Sequence, residues 1–221
     1  MADNRKEQER DELHRTIWGI ANDLRGSVDG WDFKQYVLGM LFYRYISENF
    51  ANYINDGERE AGDATFDYAQ LSDSDAEQAR DDLIKTKGFF ILPSQLFCSV
   101  RSRAPLDENL NETLEAVFQA IEDSAKGSDS EANFSGLFDD IDVNSNKLGG
   151  TVAEHNKRLV KLMNGVGEKM DDALQAELEA FIDGDPAYLP WATEGKIGKT
   201  EKQDKSPGKG GRFKIWLLFF E

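Results

Sequence analysis

LHRTIWGIANDLRGSVDGWDFKQYVLGMLFYRYISENF, residues 13–50, decides how the chain is read. It divides into two helices. In the first, expected over 4–25, Leu13, Ile17, Ile20 or Ala21, and Leu24 recur at helical spacing, and Trp18 widens the stripe. Gly26 ends it, because glycine tolerates the left-handed conformation there. Asp29-Gly30 is a turn signal, and Asp32 is read as the N-cap of a second helix over about 33–54. Phe33, Val37, Met40, Leu41 and Tyr45 lie along one face, while Leu38, Phe42, Tyr43 and Ile46 cover much of the rest. A helix apolar on nearly every side is enclosed by protein or by lipid. Flanking charges and a short apolar run exclude a membrane span, so a bundle is expected.

Outward from this pair, helical stripes dominate. A weak, Gly- and Asp-rich region, 55–74, reads as an exposed loop, and 75–87 as a short polar helix. Gly88-Phe89-Phe90-Ile91-Leu92-Pro93 breaks the pattern, as a short strand or as an extended segment pressed onto the bundle. Ser94 is placed to cap a helix carrying Leu96, Phe97 and Val100, which Pro105 ends. Asn109 or Asp107 caps a helix over about 110–125, with Leu114, Val117 or Phe118, and Ile121 inward. Phe134, Leu137, Phe138 and Ile141 suggest another short amphipathic helix. Thr151 and Glu154 have capping-box spacing before Leu159, Leu162 and Met163. Ala173, Leu174, Leu178 and Phe181 repeat the stripe over 170–182. No fixed period recurs, which excludes a solenoid. The class expected is all-α or nearly so: a bundle of short and medium helices with a poorly structured basic C-terminal tail.

The 221 residues carry a formal charge of -16, with 39% hydrophobic and 31% charged residues. A uniformly nucleic-acid-binding surface is excluded, since a duplex would repel it, but a local basic patch is not. The charge is uneven. Residues 196–214 hold seven basic against two acidic side chains, a net of +5, so the rest carries -21. The organisation expected is a helical domain over 1–167, a further helix and loop over 168–190, and a basic Gly/Lys linker with an apolar terminus over 191–221. Cys98 is the single cysteine, which excludes an internal disulfide and a Cys-based zinc site. A reducing cytoplasm suits it, and the charged N-terminus is unlike a signal peptide.

Little chemistry is visible. His14 and His155 lack metal-ligand neighbours and read as surface residues. Cys98, between Phe97 and Ser99, reads as a small buried hydrophobe. Gly198-Lys199-Thr200 ends like a P-loop, but Thr193 stands where the first glycine belongs and no strand precedes it. Asp185-Pro186-Ala187-Tyr188 resembles the Asp-Pro-Pro-Tyr loop of amino-methyltransferases, with alanine for the second proline. No Gly-rich strand-turn-helix accompanies it, so it reads as a turn. What remains are basic positions able to meet phosphates: Lys34, Arg44, Lys85, Lys87, Arg101 and Arg103, and further on Lys157, Arg158 and Lys161. Lys85, Lys87, Arg101 and Arg103 flank Phe89-Phe90, which suggests a basic ridge beside aromatics. The alternative for each is a solvated ion pair.

Five blocks carry a family resemblance: LHRTIW at 13–18, ANDLRGSVDGWDFKQYVLG at 21–39, LFYRYISE at 41–48, KTKGFFILPSQLF at 85–97, and GLFDD at 136–140 with NKLG at 146–149. They resemble the N-terminal domain of the modification subunit of type I restriction-modification enzymes. The resemblance covers residues 10–167. It implies a helical domain that precedes a catalytic domain binding S-adenosylmethionine and methylating adenine at N6. The Gly-rich cofactor motif and the Asn-Pro-Pro-aromatic motif of that domain do not occur in these 221 residues. No catalytic, cofactor or metal residue is therefore expected here, and the chain alone is expected to be inactive. The resemblance further implies assembly with the specificity subunit and a second modification subunit around DNA, with the restriction subunit in the full enzyme. A truncated, free-standing protein that binds the specificity subunit without catalysis is the alternative. DNA binding by the chain alone is expected to be weak and salt-sensitive.

Overall fold

A computed structural model describes residues 30–169, apart from the side chains of residues 30–35, 38 and 169. Among the described residues the regular structure is entirely helical. Helix α1 spans Gly30–Glu60, α2 Asp73–Ala76, α3 Arg80–Lys87, α4 Phe97–Arg103, α5 Leu110–Ser124, α6 Glu131–Phe134 and α7 Val152–Lys169, with short 3-10 turns between them. The all-α bundle expected from sequence is what the chain forms. The helices expected over 4–25 and 170–182, and the 191–221 tail, lie outside the described residues.

Helix α1 is the axis. Tyr36, Val37, Met40, Leu41, Phe42, Tyr43, Tyr45, Ile46 and Phe50 are all buried, as an all-round apolar helix must be. Packing is close enough that a Cβ on Gly39 would collide with the Ile141 side chain. Tyr43 meets Phe97 and Phe118 edge-on, with centroids 5.5 and 5.4 Å away. Phe118 stacks on Phe138 at 4.3 Å. Two turns further on, Phe50 meets Tyr68, Phe89 and Phe90 at 5.7, 5.3 and 5.9 Å. The tyrosine hydroxyls tie loops to this axis: Tyr36 donates to Asp142 O, Tyr43 to Gln95 O and Tyr68 to Ile91 O.

Several local expectations change. Asp32 lies inside α1 rather than capping it, since Gly30 and Trp31 before it are already helical. The helix also continues six residues past Ile54, through the stretch read as loop. Asn55 turns its amide oxygen to the Tyr68 N–H at 2.7 Å, and an Asp56–Arg59 ion pair spans the added turn. The 75–87 helix is broken into α2, a 3-10 turn and α3. Residues 89–92, between the left-handed Gly88 and the 3-10 turn at Pro93, form neither helix nor strand and lie on the bundle, with Phe89, Phe90 and Ile91 buried. Ser94 does not cap α4; it binds Asp73 through N–H and Oγ. The α4 terminus is served across the bundle by Ser47 Oγ, which accepts from Phe97 N. Likewise Asn156 Oδ1 accepts the Asn111 N–H in the first turn of α5. Leu137, Phe138 and Ile141 are buried outside any helix, because Gly136 at φ +66° ends the run. The Glu122 carboxylate then takes the Gly136 and Phe138 N–H groups.

Cys98 is exposed, contrary to expectation. Phe97 and Val100 set the inward face of α4, and a residue one step from Phe97 turns away from it. His155 is buried, also contrary to expectation, with Nε2 2.9 Å from Gly149 O. It shares the inward stripe of Leu159, Leu162 and Val166. Thr151 Oγ1 does accept from Glu154 N, but the Glu154 carboxylate reaches Gly150 N.

Candidate nucleic-acid interface

The basic candidates separate into two groups by what their cations touch. Arg44 sits in the buried middle of α1, 8% exposed. Its Nε donates to Glu48 at 2.6 Å and a terminal nitrogen donates to Val166 O of α7 at 3.0 Å. That guanidinium is spent inside the fold. Arg101, on α4, is also turned to α7: Nε donates to Asn164 Oδ1 at 3.2 Å and a terminal nitrogen reaches Glu168 at 3.5 Å. A Cβ on Gly167 would strike the Arg101 guanidinium, so glycine is what lets the arginine lie flat on α7. Arg103 is exposed and donates to Ser94 O at 2.7 Å.

The other group lies on α3, whose last turn carries both lysines before Gly88 closes it in the left-handed region at φ +82°. Lys85 pairs with Asp82 at 3.1 Å in full solvent. Such a pair contributes little to stability. Lys87 instead crosses to α1. Its Nζ is 3.4 Å from Asn49 Oδ1 and 4.5 Å from the Tyr53 ring centroid. Burial pushes the Lys87 amine below its ordinary value, the direction expected for a cation taken partly out of water. The Lys34 side chain lies outside the described residues. Lys157 and Lys161 are exposed on α7, and Arg158 donates to Lys147 O.

The ridge imagined from sequence is therefore not assembled as drawn. Phe89 and Phe90 are core residues, with Phe89 stacked on Phe134 at 4.7 Å and Arg80 lying over the inner Phe90. They offer no base-stacking face. The exposed aromatic beside a lysine is Tyr53, 43% exposed, which sequence reading passed over. Its signal was positional: it falls after Phe50, where the buried run of α1 ends, and one turn beyond the polar Asn49.

Elsewhere the surface is acidic. A groove lined by Glu115, Glu122, Asp139 and Asp142 over the stacked Phe118 and Phe138 would repel phosphate. Among the described residues no group of three or more His, Cys, Asp or Glu is placed to hold a metal. No helix there is long and apolar enough to cross a membrane. Nor do the described residues fit S-adenosylmethionine. They contain no strand leading into a glycine turn, and Gly39 and Gly167 are covered by Ile141 and Arg101 rather than open to a ligand.

Comparison with known proteins agrees with this arrangement. The HsdM N-terminal domain family matches residues 13–166. A type I restriction enzyme methylase subunit, MpnII, from Mycoplasma pneumoniae is 39% identical over 189 residues, covering 82% of this chain and 35% of its own length. The crystal structure of a type I restriction-modification methyltransferase subunit from Streptococcus thermophilus superposes with a TM-score of 0.60 at 23% identity. That match covers 80% of this chain and 40% of the other. The chain thus spans about a third of the curated relative's length.

Proposed function

The chain belongs to the HsdM N-terminal domain family, that of type I modification subunits, and from this premise we propose that it is an assembly and DNA-clamping module. It helps hold a specificity subunit and a second modification subunit around DNA, in the cytoplasm. Adenine-N6 methylation and S-adenosylmethionine binding belong, in this reading, to a catalytic region of the subunit outside the described bundle. The restriction subunit joins only in the full enzyme.

One observation carries the reading. The span matched by the family, 13–166, takes in nearly all of the described bundle, whose buried core runs from Tyr36 to Val166 around α1. The unit that matches is thus a packed helical unit.

Competition tests it. A type I methyltransferase is reconstituted from modification and specificity subunits of the same source, and the 221-residue chain is titrated in. Adenine methylation is expected to fall with dose as the chain occupies the specificity subunit. Methylation that stays constant at large molar excess would show that the bundle does not dock there.

A further inference from the structure

We propose that Lys87, Tyr53 and Asn49 form the point where this domain meets a nucleic-acid strand, with the ammonium on a phosphodiester and the phenol ring against the adjoining base or sugar. The proposal rests on the clamping reading above and assigns it a place: the corner between α1 and the end of α3.

Two features together set Lys87 apart, the want of a carboxylate partner and the exposed ring against it; Arg103 and Arg158 also reach no carboxylate but donate to main-chain carbonyls. Arg44, Arg59, Arg80, Lys85, Arg101 and Lys126 each reach a carboxylate. Lys87 reaches none among the described residues; its neighbours are the Asn49 amide and the Tyr53 ring. Among the described residues, then, this ammonium is packed against an aromatic face with no anion beside it, although the chain is acidic. Burial already weighs against its charged form, and an arriving phosphate would offset that cost.

The neighbouring groups suit one kind of anion. Tyr53 keeps 43% of its surface exposed, and the Lys87 Nζ lies 4.5 Å from its ring centroid. Asn49 is exposed and, among the described residues, engages through its oxygen, which leaves its amide N–H groups for an acceptor. A phosphodiester takes the ammonium and amide donors, and its sugar or base lies against the ring. Base–aromatic contact and phosphate pairing are the two components of single-strand binding. An acidic peptide would take the lysine but leave the ring without a planar partner.

The test uses the full chain and a fluorescein-labelled twelve-nucleotide DNA, single-stranded in one arm and duplex in the other. Anisotropy is followed from low to physiological salt. Wild type is expected to bind weakly, with log affinity falling as salt rises. Lys87→Ala is expected to flatten that slope by about 0.7 on the single strand or about 0.9 on the duplex, one phosphate's worth. Lys87→Arg restores it. Tyr53→Ala is expected to weaken single-strand binding about tenfold with the slope unchanged. If the duplex arm alone responds to Lys87→Ala and Tyr53→Ala has no effect, the ring assignment is overturned. The whole proposal is overturned if wild type does not bind at low salt, if both variants bind as wild type does, or if polyglutamate displaces the strand as well as unlabelled DNA. Both variants should still compete in the methylation assay. Loss of competition in wild type, by contrast, would count against the assembly reading and not against this corner.

Discussion

The two basic sides of this bundle differ in what a positive charge is for. On one side Arg44 and Arg101 reach across to α7, one to a main-chain carbonyl, the other to Asn164 and Glu168. They hold the end of α7 against α1 and α4. On the other side Lys87 rests on Tyr53 and Asn49 and reaches no carboxylate among the described residues. Both kinds stand a few residues from aromatics in sequence, and both look like phosphate ligands when read linearly. What separates them is whether the positive group already has acceptors. A guanidinium enclosed by its own fold is a strut, while an ammonium at an open corner is available.

The sharpest way to break this comparison is Arg44→Ala. It removes the partner of Glu48, whose Oε2 is already buried without a hydrogen bond, and strips Val166 O of a donor. A loss of about 3–5 kcal/mol is expected, read as a lowered denaturation midpoint. A loss under 1 kcal/mol would make Arg44 a surface residue in effect and blur the distinction.

Tyr68, in the core layer beneath the lysine corner, comes next. Tyr68→Phe leaves the buried Ile91 carbonyl without its donor and is expected to cost about 1–3 kcal/mol. Burial, with Asp73 and Glu77 nearby, raises the Tyr68 hydroxyl above its ordinary value. The folded state therefore keeps its proton where the unfolded chain loses it. Stability from this group is full below the unfolded value near 10 and falls as pH rises beyond it. Tyr68→Phe should flatten that alkaline fall, measured by denaturant titration at several pH values; an unchanged fall would remove Tyr68 from it.

How much of this was legible depends on the residue. The axis helix was, because Val37, Met40, Phe42, Tyr43 and Ile46 leave no polar face. By the same token Arg44 was decidable: a cation between Tyr43 and Tyr45 in an enclosed helix must be enclosed too, with Glu48 one turn away. His155 was decidable from its spacing to Leu159 and Leu162. The caps were not. Ser47 serving Phe97, Asn156 serving Asn111 and Asn55 serving Tyr68 join residues 50, 45 and 13 positions apart. Periodicity carries no information about such bonds, since they exist only once the helices have packed. The Lys87–Tyr53 corner is of the same kind, 34 residues apart in the chain, although each half was visible alone.

Two smaller effects sharpen the comparison. Arg101→Ala should cost about 1 kcal/mol, since its hydrogen bonds are partly solvated. Lys87→Gln should change stability by less than about 0.5 kcal/mol at neutral pH, as surface substitutions do. Because the Lys87 amine lies below its ordinary value near 10.5, the unfolded chain binds the extra proton in that window. Wild-type stability should therefore gain on Lys87→Gln as pH rises toward 10.5. A gap that does not move with pH would mean that Lys87 is as solvated as Lys85.

The central claim is that this bundle is a docking unit. Sedimentation velocity of the 221-residue chain mixed with the specificity subunit of its own system measures that without any catalytic readout. A faster-sedimenting species containing both chains is expected, and Lys87→Ala retains it. Two species that sediment independently at micromolar concentration, each folded, would contradict it.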